Sequence, residues 1–310
     1  MIPDVKYHLH HTHNCWDQSI PPLVTVQSGD VVELETREAS AGQLNPGSTS
    51  DALRSLDFSA VNPVTGPIAI DGAKPGDVVE VEILDVRPKD WGWTGVIPGF
   101  GLLADEYPEP YLKIWELNGD HAYFKPGIRI PLEPFCGMIG VAPAEPGALD
   151  MVPPRANGGN LDTRQLVKGS KVYLPVLYPG ALLSLGDTHA AQGDGEVCGS
   201  AIEGPMVVKI RVNLLKDADL SSISYYTPGN QAPKQNQKGY YATTAYGPDL
   251  FEAVRQSIRG MIKHLTKNYD LTPHEAYALC SVAVDVRIGE VVNAPNWLVS
   301  AQLPLDIFEG

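Results

Sequence analysis

Valine and isoleucine alternate with glutamate and aspartate in the segment Val78-Val79-Glu80-Val81-Glu82-Ile83-Leu84-Asp85-Val86. Successive side chains of a strand point to opposite faces, so this pattern predicts a β-strand with one buried and one solvated face. A Pro-Gly-Asp turn at 75–77 separates it from an apolar run at 67–70. Residues 23–38 repeat the arrangement, with two alternating runs joined by a Ser-Gly-Asp turn at 28–30. Both regions are predicted to be β-hairpins.

The rest of the chain favours many short strands. With 30 Gly and 27 Pro among 310 residues, turns are frequent and long helices are few. Further strands are predicted at 128–132, 137–141, 171–176, 181–185 and 206–215. A Trp-, Gly- and Pro-rich segment at 88–110 is predicted to be an ordered loop or lid.

The C-terminal third has a different character. Asp249 caps a periodic run to about residue 267, and Thr272-Pro273 opens a second run to about residue 281, so two helices are predicted. Strands are expected at 282–288 and 300–308. The chain is therefore mainly β, with a β-rich catalytic part at 1–220 and an α+β portion at 221–310 packed on it.

Charge and hydropathy exclude several classes of partner. The net charge is -14, from 23 basic and 37 acidic residues, with no Lys or Arg run, so nucleic acid and anionic membranes are poor partners. No apolar segment approaches the ~20 residues of a membrane span, and no secretory signal pattern begins the chain. The protein is expected to be cytoplasmic and to form a homo-oligomer, namely a dimer. The acidic surface argues against aggregation but does not indicate the number of subunits. Four scattered cysteines lack C-x-x-C spacing and predict buried thiols.

The strongest chemical signal follows the predicted strand at 181–185. It reads Gly186-Asp187-Thr188-His189-Ala190-Ala191-Gln192-Gly193-Asp194-Gly195-Glu196. Carboxylates and imidazole are common ligands of Zn²⁺, and carboxylates alone suit Ca²⁺ or Mg²⁺. Asp187 and His189 would share one face of a strand and could hold one ion together. The alternative is an Asp-Gly hairpin loop with solvated carboxylates.

Other candidate residues lie outside this segment. Asn157, Asn160 and Asp162 surround a glycine pair in a shape suited to a cation or a carbonyl, although a capped turn has the same composition. His13 could bind a metal or substrate, or lie in a frayed terminus. Glu203 is a candidate base or ligand, or a solvated carboxylate. Neither G-x-S-x-G nor a phosphate-binding glycine motif occurs, which argues against serine nucleophiles and phosphate cofactors.

The ordered motifs of the chain resemble one known family, the acetamidase/formamidase family. The resemblance rests on five blocks across most of the chain: Asn62-Pro63-Val64-Thr65-Gly66-Pro67-Ile68, Gly72-Ala73-Lys74-Pro75-Gly76-Asp77, Gly137-Met138-Ile139-Gly140-Val141-Ala142-Pro143, Gly158-Gly159-Asn160-Leu161-Asp162, and 186–196 continuing to Glu203. The resemblance implies a metal-dependent enzyme that hydrolyses the C–N bond of small linear amides and releases ammonia. It also implies a jelly-roll-like β-sandwich with a smaller β-barrel-like part.

The resemblance places five residues at or near the centre of the site: Asp162, Asp187, His189, Glu196 and Glu203. Our hypothesis for the metal is zinc, alone or with calcium, held by Asp187, His189 and Asp162 with Glu203 and His13. A metal-activated water attacks the carbonyl, and Glu196 carries the proton to the leaving nitrogen. Asp194 either assists this step or is a turn residue that directs Glu196. Substrate contacts are assigned to Asn157, Asn160 and Asn62.

Two alternatives remain open at this level. An amidase could instead use Cys136 or Cys198 as a covalent nucleophile. A non-enzymatic β-sandwich could hold structural Ca²⁺ and stack sugars on Trp91 and Trp93.

The chain also departs from the family pattern at Glu38, where relatives often have a shorter carboxylate. The tract 222–245, rich in Tyr, Gln and Asn, is expected to be a variable loop at the mouth of the site.

Overall fold

The computed structural model describes residues 5–218, 220, 222–228 and 238–309, and strands dominate it. In chain order the strands are β1 (Tyr7–Leu9), β2 (Thr12–His13), β3 (Val24–Val26), β4 (Val31–Glu35), β5 (Val64–Ile70), β6 (Val78–Pro88), β7 (Trp91–Val96), β8 (Tyr111–Glu116), β9 (His121–Lys125), β10 (Ile128–Pro131), β11 (Phe135–Gly140), β12 (Gly158–Asn160), β13 (Lys171–Pro175), β14 (Leu183–His189), β15 (Met206–Leu215), β16 (Ser224–Tyr226), β17 (Tyr240–Gly247), β18 (Asp285–Glu290) and β19 (Trp297–Pro304). Short 3-10 helices cover Ser50–Ser55 and Leu305–Ile307.

Two α-helices lie where the capping signals predicted them, α1 (Leu250–Asn268) and α2 (Pro273–Ala283). The Asp249 side chain accepts a hydrogen bond from the Glu252 backbone N–H and so satisfies one free donor of the first turn. Thr272 and Glu275 form a reciprocal capping box at the start of α2. The two predicted helices are confirmed.

Two six-stranded sheets form the body of the molecule. The first has the order β1-β4-β15-β6-β13-β16, and the second has the order β12-β11-β14-β5-β2, with β3 beside β5. Strand β6 pairs with β15 along nearly its whole length, and its Val79, Val81 and Ile83 are buried. The strand predicted at 78–86 is thus confirmed at the centre of the first sheet.

The two predicted hairpins are wrong. Strand β3 pairs with β5 in the second sheet, whereas β4 pairs with β1 and β15 in the first. Strands β5 and β6 are divided between the two sheets in the same way. The turns at 28–30 and 75–77 therefore carry the chain from one sheet to the other, because both flanking strands bury an apolar face in the space between the sheets.

The predicted loop or lid at 88–110 is partly wrong as well. Residues 91–96 form β7, which pairs with β8 in regular antiparallel register. Trp93 is buried, and its indole N–H donates to the Glu38 carboxylate at 2.7 Å. At 3% exposure the indole offers no open aromatic platform of the kind on which sugars stack, which argues against Trp93 in the carbohydrate-binding alternative.

The mainly β fold class is confirmed, and its α+β C-terminal portion is present. There β17, β19 and β18 form a sheet against which α1 packs. The expected small barrel is not found, since the strands of the described residues form open sheets and two-stranded ribbons. The jelly-roll strand order stays a prediction.

The division at residue 220 also stays a prediction. Strand β16 lies beyond that boundary yet pairs with β13 of the first sheet, and one apolar cluster joins β-sheet residues with α1 and α2. Part of the tract 222–245 forms β16 and β17, and residues 229–237 lie outside the described residues.

Within the described part of the chain, no helix is long and apolar enough to cross a membrane. The compartment, the dimer and the excluded partners remain predictions.

Tyr277 fastens α2 to the body of the molecule. Its buried hydroxyl donates to the Val197 carbonyl and accepts from the Leu103 backbone N–H at 2.8 Å. We expect Tyr277→Phe to lower the free energy of unfolding by about 2 kcal/mol, because both backbone groups lose a partner away from water. Denaturant titration measures this change. Tyr246→Phe is the matched control, since that side chain is 75% exposed, and equal stability of the two variants would contradict the prediction.

Candidate active site

A cavity of about 240 Å³ opens between the second sheet, β7 and the loop residues of 39–62. One side of it is acidic and one is apolar. The acidic side is lined by Asp162, Asp187, Glu196 and Glu203, and the apolar side by Ala39, Leu56, Phe58, Val61, Trp93, Ile97 and Phe100. A concave site that joins an apolar wall to a few polar groups is typical of a small-molecule site.

Five predicted residues converge on the acidic side. Ligand atoms of Asp162, His189 and Glu196 lie within 4.8 Å of one another, and so do those of Asp187, His189 and Glu203. His189 belongs to both groups. The structure therefore brings together one imidazole and four carboxylates, all of them largely or fully buried.

Two neighbouring segments carry three members of this cluster, Asp187, His189 and Glu203. Strand β14 carries Asp187 and His189, and it continues four residues beyond the strand predicted at 181–185. The segment before β15 then returns beside it, with the Ala190 N–H bonded to Ile202 O and the Gly204 N–H to Thr188 O. This pairing sets Glu203 next to His189, with Glu203 Oε2 3.1 Å from His189 Nε2.

Three of the four carboxylates stand on strained backbone. Asp162, Asp187 and Glu196 have φ values of 43°, 47° and 42°, in the left-handed region that non-glycine residues seldom adopt. Such conformations persist only where the surrounding structure imposes them, and they concentrate at functional sites. The three carboxylates on this unusual backbone all belong to the two ligand groups that share His189.

The orientation of His189 follows from Gln192. The Gln192 Nε2 group donates to the Asp162 carbonyl at 2.8 Å, so its Oε1 faces His189 Nδ1 at 2.9 Å as an acceptor. His189 must therefore carry a proton on Nδ1, and in its neutral form Nε2 is a bare lone pair aimed into the cluster. Metal-binding histidines are oriented by this kind of contact.

The cluster fits a divalent cation. Four buried side-chain atoms of the cluster have no hydrogen-bond partner: Asp162 Oδ1, Asp187 Oδ1, His189 Nε2 and Glu203 Oε2. His189 Nε2 lies 3.6 Å from Asp187 Oδ1 and 3.1 Å from Glu203 Oε2, although neither contact has hydrogen-bond geometry. Unpartnered oxygen and nitrogen atoms that converge in this way match the ligand preferences of Zn²⁺.

The pKa shifts of the clustered side chains also indicate a site that fits a divalent cation. Burial raises the pKa of Asp162 to about 7, and burial also raises the pKa of Glu196 well above its usual range and the pKa of Glu203. Burial opposes charge on His189, yet the carboxylates of Glu203 and Asp187 raise its pKa well above the usual value. The cluster lacks positive charge, which protons or a bound cation would supply.

Three predicted residues lie apart from this cluster. His13 has both ring nitrogens engaged, with the Cys15 carbonyl and the Ser184 hydroxyl, each at 2.9 Å. Asn157 is buried and donates to the Val141 carbonyl at 2.9 Å. Asp194 accepts from the Gln165 amide, and its backbone N–H donates to Asp285. None of the three lines the cavity among the described residues.

Asn62 and Asn160 do line the cavity. The Asn160 amide donates to the Val152 carbonyl at 3.1 Å, while its buried Oδ1 has no partner. Sequence reasoning missed the roles of Gln192 and of the apolar wall. Gln192 stands three residues after His189, which is a usable signal, whereas the wall comes from segments that only the fold brings together.

Comparison with known proteins agrees with this site. A profile of the Acetamidase/Formamidase family matches residues 4–146 and 144–310. The formamidase of Methylophilus methylotrophus is 28% identical over 365 residues, covering 96% of this chain and 89% of that protein. The gamma lactamase from Delftia acidovorans superposes with a TM-score of 0.90, at 28% identity over 96% of this chain and 90% of that one. The acetamidase from Bacillus halodurans does so with a TM-score of 0.68, at 34% identity over 96% and 97%. With both halves of the chain matched by the family profile, the chain belongs to the Acetamidase/Formamidase family.

Proposed function

We propose that this chain is a metal-dependent amidase that splits the C–N bond of small amides into ammonia and a carboxylic acid. Membership of the family makes it an amidohydrolase of small linear amides. The observation that carries the metal dependence is the set of four unpartnered, buried ligand atoms around His189. A site that used only protons would pair these atoms with one another.

Asp187, His189 and Glu203 would hold the cation, with Asp162 beside them. All three are nearly inaccessible to solvent, and Glu203 is oriented by a hydrogen bond that its Oε1 accepts from the Ala201 N–H at 2.8 Å. A divalent cation supplies Lewis acidity that activates water near neutral pH and polarises a carbonyl.

Glu196 is the proton carrier in this proposal. It lines the cavity and is partly buried, and burial raises the pKa of its carboxyl well above the usual range. It takes a proton from the attacking water and gives it to the departing nitrogen. Asn160 Oδ1 accepts a hydrogen bond from the substrate NH₂ group, which satisfies an atom that otherwise lacks a partner.

The cysteine alternative has little support. Burial raises the pKa of Cys136 to about 12 and that of Cys198 to about 11, so neither thiol ionises readily. Within the described residues, neither cysteine lines the cavity. The Cys198 Sγ faces the Gly95 and Ser200 carbonyls instead.

Removal of metal tests the proposal directly. We expect dialysis against a strong chelator to lower ammonia release from acetamide or formamide by more than about tenfold, and added Zn²⁺ to restore it. Ammonia release and zinc content are measured on the same samples. Dialysis against chelator saturated with zinc is the control. Full activity in protein shown to be free of metal would remove the cation from the mechanism.

The likeness to the gamma lactamase favours a second candidate, hydrolysis of a cyclic amide. The TM-score of 0.90 exceeds the 0.68 found for the acetamidase, and the cavity has room for a small ring. Incubation of the protein with a γ-lactam, followed by chromatography, tests this candidate. Appearance of the ring-opened amino acid supports it, whereas intact lactam indicates an enzyme limited to linear amides.

A further inference from the structure

We infer that the preferred substrate is an amide of an uncharged, apolar acid with several carbons, rather than formamide. This inference rests on the proposed amidase function and concerns the apolar wall of the same cavity. The wall combines aliphatic and aromatic side chains, and it is the apolar surface of the cavity that an acyl chain can contact when the amide carbonyl lies at the cluster.

The wall is one continuous apolar surface. Ala39, Trp93 and Ile97 belong to a single buried cluster, against which Leu56 and Phe100 pack. The Phe58 ring stands 5.9 Å from the Phe100 ring, centroid to centroid, and is 45% exposed, so it forms the outer rim. Formamide has no carbon chain to place against this surface, and the wall would stay in contact with water.

The polar groups that line the cavity beside the wall, and the indole N–H of Trp93, already have hydrogen-bond partners within the protein. The Ser40 hydroxyl donates to Glu38 and accepts from the Leu44 N–H, and the Ser200 hydroxyl donates to the Gly95 carbonyl and accepts from the Gly95 N–H. The only hydrogen of the Trp93 indole nitrogen is donated to Glu38. These groups have no donor left for a polar acyl chain, and they present hydrocarbon to the cavity.

The cavity also rejects anions. Among its described lining residues there is no Lys or Arg, while four are carboxylates. An acyl chain that ends in a carboxylate would lose its hydration at the apolar wall without gaining a Lys or Arg partner there. Asn62 adds only a neutral amide. The lining therefore disfavours anionic acyl chains.

The size of the cavity sets the length of the chain. Its 240 Å³ approaches the ~300 Å³ at which small-molecule sites usually begin. At about 30 Å³ for each water in the liquid, formamide would leave room for several ordered waters against an apolar wall. A propyl, branched butyl or phenyl group displaces that water.

A substrate series tests the inference on the zinc-loaded protein. We expect kcat/KM to rise roughly four-fold per added methylene, or about 15-fold from acetamide to butyramide. Formamide should be the poorest linear substrate of the series. Glutaramate, which ends in a carboxylate, should be hydrolysed about 100-fold less efficiently than pentanamide of similar length.

A charge placed on the rim gives a sharper test. Phe58→Arg extends a guanidinium over the mouth at an exposed position, so the fold is not at risk. We expect it to reduce the preference for pentanamide over glutaramate by about tenfold or more, since the carboxylate gains a charged partner. Phe251→Arg, at a 62% exposed position of α1, is the matched control and should leave the ratio unchanged.

The outcomes separate this inference from the function on which it rests. Highest kcat/KM for formamide, with a fall along the series, would overturn the apolar preference while the amidase function stands. Equal hydrolysis of glutaramate and pentanamide by the unmodified protein would also overturn it. Release of ammonia from none of the amides by zinc-loaded protein would overturn both.

Discussion

Glu196→Gln should lower kcat for amide hydrolysis by about 10³-fold while the protein stays folded and keeps its bound zinc. Glutamine has the shape of a protonated glutamate, so it fills the same space and can still donate a hydrogen bond. It cannot accept a proton from water or release one to a leaving nitrogen. The loss therefore isolates proton transfer from packing.

The position of Glu196 makes this substitution informative. Its carboxylate lies partly buried beside Asp162, with its backbone held at a φ of 42° by the Glu196 N–H to Gly193 O and Gly199 N–H to Glu196 O hydrogen bonds. Burial and Asp162 both raise its pKa. A carboxyl whose pKa is raised above its usual range binds a proton more readily than an exposed glutamate does, which suits it to serve as base in one step and acid in the next.

Asp194→Asn is the matched comparison, because Asp194 lies two residues earlier on the same Asp-Gly turn. Its side chain bonds to Gln165 outside the cavity, so we expect kcat to change by less than about three-fold. Ammonia release and zinc content are measured for both variants. Zinc loss in Glu196→Gln would make Glu196 a ligand rather than a proton carrier. A large loss in Asp194→Asn would restore that residue to the mechanism.

Much of the acidic cluster could be predicted from local sequence. Asp187, His189 and Glu196 lie within ten positions, and a strand followed by a glycine-rich turn keeps such residues close whatever the rest of the fold. Asp162, beside the glycine pair 158–159, and Glu203 are candidates from their own neighbours too, and the motif blocks place them near the other three. His13 shows the limit, because β2 does join the same sheet as β14, yet its ring nitrogens are engaged by Cys15 and Ser184.

The fold shows a comparable limit. Alternation of apolar and acidic residues located β6 correctly, and the caps located both helices, because these signals depend only on neighbouring residues. The same alternation does not indicate which sheet a strand joins, and for that reason it predicts hairpins where the two turns connect different sheets. The apolar wall has no local signal, since Ala39, Leu56 and Trp93 meet only through tertiary packing.

Gly137→Ala should lower amide hydrolysis by at least about 100-fold and weaken zinc binding, although it adds a single methyl group. Gly137 lies on β11 beside β14, at the level of Asp187. A Cβ at this position would stand 2.7 Å from Asp162 Oδ1, 2.7 Å from His189 Cε1 and 2.8 Å from the Asp187 carbonyl oxygen. Real Cβ atoms do not approach other heavy atoms so closely, so something must move.

None of these three neighbours can move cheaply. The Asp187 oxygen is backbone, and the His189 ring is held by Gln192. The Gly137 carbonyl itself accepts from the Leu161 and Asp162 N–H groups at 3.0 and 3.1 Å, which anchors Asp162 in its left-handed conformation. A methyl group therefore pushes two proposed ligands apart, and displacement of about 1 Å is enough for a hundredfold loss.

Gly247→Ala provides the control for glycine replacement itself. Gly247 ends β17, a Cβ there would meet nothing within 4 Å, and its φ lies outside the left-handed region. Zinc affinity, ammonia release and thermal stability are compared for both variants. Because the clash at Gly137 is with the ligand cluster, loss of zinc affinity should exceed any loss shown by Gly247→Ala. Wild-type zinc affinity in Gly137→Ala would mean that the cluster is looser than a metal site requires, and the assignment of Asp162 and His189 to one ion would fall.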